Sequence, residues 1–509
     1  MIVNSICIAG GGSSGWMLAV ALQKYAPNIK VTLVESPKVG NVGVGESTIP
    51  SVSRFITRYL GFEEKEWMPY CDAVYKSAIK FQDFKHKGHV LYHPFWDDDE
   101  DGRNGFEWAV KNVLDPENSN TLEYYYSIYK STLMCRDNKF KAFNGHAHHM
   151  DATKFGEFCK DKCSSINHVI GHISSVDVSI DKYIQRLELE DGSYVESDLF
   201  VDCTGFASVL LGKALEEEFV SSKEVLLNDR AIFARMFYTK DSKAEELQPY
   251  TDCTALSSGW AWNIPLWNKI GTGYVYSSEF LSKEEAEKEF SEYLSDRYSV
   301  DRVDVESFNH VNIKAGKHKR AWVNNCASLV LSTGFVEPLE STGLALIAHQ
   351  IEKIVSIVKN NTYNKFDLET YNHYVDESIE EVVDFVSLHY VSSDRMDSPY
   401  WRFINKNIKV TSTLTDKLAH PSKRLKYYFT DKSWECILIG FEVYTSEYYD
   451  INYLKYWNKS LPFLNEQEVV KTIEETSIYL NALRADNENK VENMLMHVDY
   501  LQKELYQQE

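Results

Sequence analysis

At 509 residues the chain is too long for one simple core, and two or more packed modules are expected. A hydrophobic share of 44% with 25% charged residues reads as globular, and a net charge of −21 argues against nucleic acid and anionic membrane as partners. The nine cysteines, an odd number without regular spacing, read as reduced thiols, and Cys159-x-x-x-Cys163 has no second pair with which to hold zinc.

The first predicted element is the strand Ile6-Cys7-Ile8-Ala9, entered within a few residues of Met1. That leaves no room for a signal peptide, and no run approaches the ~20 apolar residues of a membrane span, so a cytoplasmic location is expected. Gly10, Gly12 and Gly15 then fit G-x-G-x-x-G ahead of a helical run over 16–25. Gly10 permits the tight turn, Gly12 lets backbone approach a pyrophosphate, and Gly15 lets helix pack on strand. The pyrophosphate would meet N–H groups at the helix N-terminus. A second strand, Lys30-Val31-Thr32-Leu33-Val34, ends at Glu35, about 20 residues past the glycines, where a carboxylate bonds ribose hydroxyls. The motif alone does not separate FAD from NAD. Val42-Gly43-Val44-Gly45-Glu46-Ser47-Thr48-Ile49-Pro50 reads as a second backbone cradle beside the cofactor.

Residues 82–150 read as aromatic and irregular, a place for pocket-lining loops. Among them Asp97-Asp98-Asp99-Glu100-Asp101-Gly102 imitates a calcium loop. The required bidentate glutamate would fall on Trp108, so a solvated acidic loop is expected instead. A helix is predicted over 151–162. Residues 168–210 alternate apolar and polar, as strands with a hairpin at Asp191-Gly192. Leu199 to Phe206 read as a buried strand ending in Asp-x-x-Gly, returning to the first sheet with an acid at its tip. No second G-x-G-x-x-G follows for NAD(P)H, so reduced cofactor is expected from elsewhere.

A further sheet block spans 229–276. Within it Gly259-Trp260-Ala261-Trp262-Asn263-Ile264-Pro265 sets two tryptophans, an isoleucine and a proline into a rigid aromatic wall. A nucleotide site with such a wall suggests a redox cofactor kept apart from its substrate. Helices are predicted over 282–297 and 341–359. From about 365 the chain reads as mostly helical, with breaks at Pro399, Pro421 and Pro462. Over 465–508, Val470, Ile473, Ile478, Leu480, Leu483, Val491, Met494, Leu495 and Val498 repeat at helical spacing, as in a packing helix.

Taken in order, these segments resemble the flavin-dependent halogenases, especially the tryptophan halogenases. Gly259–Pro265 matches that family's G-W-x-W-x-I-P signature. Arg320-Ala321-Trp322-Val323 and Gly334-Phe335-Val336-Glu337-Pro338-Leu339-Glu340-Ser341-Thr342-Gly343 look like the segment carrying its catalytic glutamate and halide site. Residues 271–278, Tyr75-Lys76-Ser77-Ala78-Ile79-Lys80-Phe81 and Asp394-Arg395-Met396-Asp397-Ser398-Pro399-Tyr400-Trp401 are also similar. The likeness covers residues 1–400 and thins after Trp401.

The resemblance implies an α/β flavoprotein of the glutathione-reductase-like and hydroxybenzoate-hydroxylase-like kind, with a mostly helical C-terminal module. Residues 1–365 would form the FAD-binding and halogenation module, with pocket loops at about 82–150, and 366–509 a helical substrate-covering module. FAD, used as FADH2, would be held by Gly10, Gly12, Ser13, Ser14, Gly15, Glu35, Ser36, Val39, Glu46, Ile173, Leu331 and Leu344. O2 and chloride, bromide or iodide would be consumed. A separate flavin reductase would supply FADH2 and the substrate would be a small aromatic, indole- or phenol-like. No metal is implied: the flanks of His146, His148 and His149 look like a family strand entering the 151–162 helix. A homo-oligomer is left open.

The chemistry constrains the remaining residues. If Trp260, Trp262, Ile264 and Pro265 keep flavin from substrate, a halide must make the attack as a hypohalous acid. The resemblance places the halide at Thr342 and Gly343, whose N–H groups open a helix where anions are favoured. A cation must then hold the hypohalous acid. Lys76 and Lys80 serve equally by chemistry, since a spacing of four puts both on one face. The resemblance selects Lys76 and leaves Lys80 as a structural or electrostatic neighbour. Glu340 would stabilise the ring cation and take its proton, with Glu337 as the decoy and Ser341 orienting an amide or the substrate.

One departure bears on the substrate. The family's amino-acid clamp, a tyrosine pair with a glutamate and a tryptophan, has as counterpart here 411–434, which contains Tyr427, Tyr428, Phe429 and Trp434 but no matching glutamate. His93-Pro94-Phe95 and Trp96 resemble the opposite aromatic wall. Two readings compete with halogenation: an aromatic hydroxylase on the same fold, and a flavin-binding interaction protein using 465–508 as a contact helix.

Overall fold

The computed structural model describes residues 1–40, 43–100, 105–298, 308–419, 427–443 and 464–507. Asp101, Gly102, Pro421 and Pro462 lie outside the described residues, and so do the parts of the acidic run and of the 411–434 stretch that contain them. The chain forms two compact units, each assembled from separated stretches. The first comprises Met1–Ala73, Met150–Asp229 and Asn312–Val383; the second comprises Val74–His149, Arg230–Val311 and Asp384–Glu509. The units do not divide at residue 365, where the sequence reading sets its module boundary. Parallel pairing is the reason: a strand can join a parallel sheet only by returning to it after a crossover.

In the first unit that sheet runs in the order Trp322–Val323, Cys326–Ser328, Leu199–Asp202, Ser5–Ala9, Lys30–Glu35, Asn167–Ile170. Ser5–Ala9 pairs in parallel on both sides, with Ile8 opposite Leu33 and Val201. The central strands Ser5–Ala9, Lys30–Glu35 and Leu199–Asp202 are buried along most of their length because both faces are covered. Ser13–Tyr25 is buried continuously from Gly15 to Leu22 and packs against the helices Ala152–Asp161 and Gly343–Val358. The predicted hairpin is present, with Gly192 at φ +84° closing the antiparallel ribbon Ile173–Val178, Ile184–Leu189, Tyr194–Glu196.

The second unit is built on a sheet ordered Asn309–Asn312, Arg230–Phe237, Lys269–Tyr276, Gly259–Pro265, Tyr250–Ala255, Ala78–Gln82, Val90–Pro94. One face packs on the helix Lys283–Arg297, which starts at a Ser282/Glu285 capping box and buries Ala286, Phe290 and Leu294 against Ala261 and Tyr274.

Two expectations are corrected here. The stretch 82–150 is not irregular: it holds the helices Phe106–Leu114, Thr121–Ile128 and Lys130–Asp137 and the strands Val90–Pro94, Lys139–Phe140 and Ala147–Met150. The tyrosines around its middle helix are core: Tyr124, Tyr125 and Tyr129 are fully buried, and Asn120 caps that helix by accepting from the Glu123 N–H. The acidic run is not simply solvated either. Glu100 is fully buried and accepts the N–H groups of Asp97 and Lys130, while Asp97 pairs with the Lys130 ammonium at 2.9 Å.

The C-terminal part is helical as expected, with Pro399–Asn407, Ser412–Ala419, Asp431–Gly440, Glu466–Glu492 and His497–Glu504. Glu466–Glu492 packs on the three helices of 106–137. Its buried stripe is narrower than its periodicity suggests: Leu480 and Val491 are buried, whereas Val470 and Ile478 are exposed. All nine cysteines are thiols, eight of them buried. Among the described residues no helix is long and apolar enough to cross a membrane.

Candidate active site

The first unit carries the dinucleotide cradle. Gly10 has φ +117°, and a Cβ there would lie 2.2 Å from the Cys203 carbonyl oxygen, so only glycine fits. A Cβ on Gly15 would lie 2.0 Å from the Gly10 carbonyl oxygen, which fixes how closely helix meets turn. Around Gly12, by contrast, there is open space, the room a pyrophosphate needs. The helix that follows has no acidic residue in its first turn to compete for its N–H groups. Ser13 anchors it by donating to the Ala152 carbonyl at 2.6 Å. Glu35 meets His168 Nε2 at 2.8 Å and the Lys160 ammonium at 3.6 Å, both through Oε2.

The other flavin residues implied by the resemblance all fall in this unit. Ser36 Oγ bonds His172 Nδ1 at 2.8 Å, Val39 is exposed, Ile173 is half-buried and Leu344 is buried in the first turn of Gly343–Val358. Leu331 lines a cavity of about 230 Å3 with Phe206, Ser208, Lys213, His318 and Phe335. Glu46 is half-buried, and burial of its carboxyl pushes it up to about 7. The residues present thus fit a dinucleotide with a ring system.

Glu337 to Gly343 form two overlapping turns into the helix Gly343–Val358. Leu339 N–H donates to the Glu337 carbonyl at 2.9 Å and Ser341 N–H to the Pro338 carbonyl at 3.0 Å. Both glutamates are buried, and Glu337 Oε2 accepts from Asn228 Nδ2 at 2.8 Å. Ser341 sits at φ +59° and bonds Ser47 Oγ at 2.9 Å, joining this turn to the glycine-rich segment around Glu46. Its hydroxyl is therefore partnered within the protein. Thr342 is the helix N-cap and uses no side-chain cap; a Cβ on Gly343 would meet nothing within 4 Å, leaving space at the helix start.

In the second unit the Tyr75–Phe81 segment changes sheets at Ser77. Val74–Lys76 pairs with Ala147–Met150, placing Lys76 opposite Ala147, while Ala78–Gln82 joins the large sheet, placing Lys80 opposite Asp252 and Tyr92. Ser77 bridges them, its N–H donating to the Pro249 carbonyl and its own carbonyl accepting the Phe95 N–H. The two lysines therefore lie on strands of different sheets, so the period-2 rule for an unbroken strand does not by itself relate their side chains. Lys76 is fully buried with its ammonium 5.1 Å from the Phe95 ring centroid; Lys80 is half-buried over Tyr250 at 5.7 Å. His149 bonds the Pro265 carbonyl at 3.1 Å and Thr251 Oγ1 at 2.8 Å. Burial, then the Lys76 ammonium, holds it well below the usual histidine range, so it is neutral. His146 bonds the Phe143 carbonyl, and His148 packs on Tyr75.

The aromatic wall is the strand Gly259–Pro265. Alternation sets Trp260, Trp262 and Ile264 on one side, with the indole centroids 6.0 Å apart. Ala261 and Asn263 take the other side, where Ala261 joins the core under Lys283–Arg297 and Asn263 Nδ2 donates to Tyr293. Pro265 follows the register of Ala261 and Asn263, so it closes the strand and does not extend the tryptophan face. Gly273, opposite Trp262, makes room for the wall: a Cβ there would lie 2.1 Å from the Trp262 six-membered ring. Gly273→Ala is expected to lower the unfolding temperature and shift the tryptophan emission, since overpacking costs about 1–3 kcal/mol; an unchanged melt would show that Trp262 is not fixed there.

Phe95, beneath the Lys76 ammonium, belongs to a buried aromatic cluster within the same unit. His93 lies 6.1 Å from Phe95, 5.8 Å from Phe385 and 6.2 Å from Phe429 by ring centroids. Phe385 stacks on Phe429 at 3.7 Å and meets Trp434 edge-on at 5.0 Å. Pro94 ends the strand leading to Phe95. Glu435, next to Trp434, accepts from the Gly105 N–H and the Tyr124 hydroxyl. Phe385 was missed from sequence because it lies inside a long helix, Lys365–Val391, where a phenylalanine reads as ordinary core.

A family model described as tryptophan halogenase matches residues 5–453. The tryptophan 6-halogenase SttH of Streptomyces toxytricini is 35% identical over 458 residues, 84% of this chain and 85% of SttH. The tryptophan 7-halogenase RebH of Lentzea aerocolonigenes is 31% identical over 441 residues, 82% of this chain and 81% of RebH. The solved structure of BrvH, a flavin-dependent halogenase from Brevundimonas sp. BAL3, matches with a TM-score of 0.83 at 27% identity, covering 98% of this chain and 99% of that one. The architecture is accordingly the FAD-binding α/β fold with a mostly helical C-terminal part.

Proposed function

The chain belongs to the tryptophan halogenase family, and from that premise we propose how its residues divide the reaction. It is a flavin-dependent halogenase acting on an aromatic substrate, which leaves the hydroxylase reading behind. When bound, reduced FAD with O2 supplies the oxidising equivalents for a halide. We assign flavin binding to the first unit through Gly10, Gly12, Gly15 and Glu35, and halide binding to the backbone N–H groups of Thr342 and Gly343. The Trp260, Trp262 and Ile264 face excludes the aromatic substrate from the flavin. Lys76 hydrogen-bonds the hypohalous acid and directs it at a ring held among His93, Phe95, Phe385, Phe429 and Trp434. Glu340 stabilises the ring cation and removes its proton. Ser341 acts through Ser47 as a positioning residue.

The observation that carries this assignment is the fully buried Lys76 ammonium lying over Phe95 at the edge of the aromatic cluster, which we read as the substrate enclosure. Burying a cation is costly, and a surface role would not require it. The direct test supplies FAD, a flavin reductase, NADH and a halide, and looks for halogenated indole by mass. A hydroxylated product with no halide dependence would overturn the reading.

The reaction depends on a separate reductase in the cytoplasm, because one G-x-G-x-x-G serves one dinucleotide. The purified protein alone is expected not to oxidise NADH at a useful rate with FAD present; rapid NADH oxidation without reductase would refute this.

The substrate is expected to be a small indole or phenol rather than free tryptophan. Glu435, the carboxylate beside Trp434, is already engaged by Gly105 and Tyr124. Without a clamp on the ammonium and carboxylate, binding energy remote from the reacting carbon is lost, so affinity and turnover fall together. Loose positioning also favours the heavier halides, so bromide or iodide is expected to outperform chloride. Competition assays decide this: regiospecific chlorination of free tryptophan, faster than bromination of indole, would sink it.

A further inference from the structure

We propose that the buried Asp384–Lys417 pair is a specificity-positioning device that sets the aromatic enclosure for its substrate; it rests on the reading of that enclosure as the substrate site. Asp384 is 1% exposed and Lys417 6% exposed, and the ammonium meets Asp384 Oδ2 at 2.7 Å. The other carboxylate oxygen accepts from the Thr411 hydroxyl and, at 3.1 Å, from the Thr413 hydroxyl. Thr411 Oγ1 in turn accepts the Leu414 N–H at 3.0 Å, capping the helix Ser412–Ala419. A single carboxylate thus grips this short helix at its first turn and again at Lys417.

Both ends of the pair touch the enclosure. Asp384 immediately precedes Phe385, whose ring stacks on Phe429 and meets His93 and Trp434. The Lys417 ammonium lies 6.0 Å from the Trp434 ring centroid. The carboxylate therefore fixes the backbone from which one wall projects, and the ammonium lies over the other. Stability alone does not account for the pair. A buried ion pair repays its desolvation poorly, and a well-packed apolar replacement is often neutral or stabilising. What the charges add is direction: hydrogen bonds at fixed angles allow one placement of the short helix, where apolar contacts would allow several. The enclosure also stays uncharged overall at this wall, which suits a neutral flat ring.

The test replaces the whole pair, Asp384→Leu with Lys417→Met, and titrates indole by calorimetry alongside bromination kinetics and the melting temperature. The double variant is expected to melt no lower than the parent. Its indole dissociation constant and KM should rise about tenfold with a smaller change in kcat, and its product should spread over more ring positions, as loosened positioning predicts. Lys417→Arg, which keeps the charge and its hydrogen bond, should stay near the parent. Should the double variant not fold, Thr411→Val with Thr413→Val loosens the same carboxylate with both charges kept, and is expected to weaken indole binding severalfold. Parent-like affinity and product distribution in the folded variant would overturn the proposal. Phe95→Ala separates the underlying reading: if indole binding survives it while halogenation continues, the enclosure is not the substrate site, whereas loss of binding in Phe95→Ala with none in the pair variant refutes only the positioning role.

Discussion

Lys76→Ala is expected to abolish halogenation while the protein still consumes O2 with reduced FAD. Of the two lysines in the segment, Lys76 alone is fully buried, and its ammonium faces the Phe95 ring. Lys80, across the sheet change at Ser77, lies opposite Asp252 and over Tyr250 and is half-buried. On the proposed assignment, removing Lys76 takes away the cation that holds the hypohalous acid, so the oxidant would be made and lost to water. Lys80→Ala should cost stability more than turnover. Because a buried lysine truncated to alanine also leaves a cavity, Lys76→Met provides the volume-matched control and should be equally inactive. An active Lys76→Ala beside a dead Lys80→Ala would show that the other lysine does the chemistry.

Glu340→Gln is expected to lower turnover by about 10²-fold or more, the range for losing a positioned acid–base group. The amide keeps shape and burial but neither carries the charge that stabilises a ring cation nor accepts its proton. The comparison that gives the result meaning is Glu337→Gln. Glu337 already accepts from Asn228 Nδ2, so its amide should disturb folding of the turn more than the chemical step. Rates are best read with FADH2 supplied in excess, so that reductase supply does not mask the chemistry. An unchanged rate in Glu340→Gln, or an equal loss in Glu337→Gln, would remove Glu340 from its role.

How much of this was legible in the chain follows from the range of the interactions involved. Gly10, Gly12 and Gly15 could be read directly because each answers a local backbone demand, and the structure meets those demands with a left-handed φ at Gly10 and open space at Gly12. The Gly259–Pro265 strand, the Asp191–Gly192 turn and the helix over 282–297 were equally local, carried by alternation, turn chemistry and a capping box. What depends on distant partners was not legible. Within 82–150 the part over 106–137 folds as helices because its rings find a core. Glu100 is buried because two backbone N–H groups and the neighbouring Lys130 stand ready for the acidic run. Pro265 leaves the tryptophan face through strand register, and Lys76 and Lys80 join different sheets, neither of which spacing encodes. Phe385 and Asp384 gain their place from Phe429, Thr411 and Lys417, far along the chain. The sequence by itself therefore determined the cofactor turn and the wall, since short-range sterics and hydrogen bonding specify them, and carried the reaction class only through its resemblance to the flavin-dependent halogenases. Only the tertiary structure decided which lysine is buried, which side chains close the aromatic enclosure, and how separated stretches combine into two units, since these depend on which strands and helices meet.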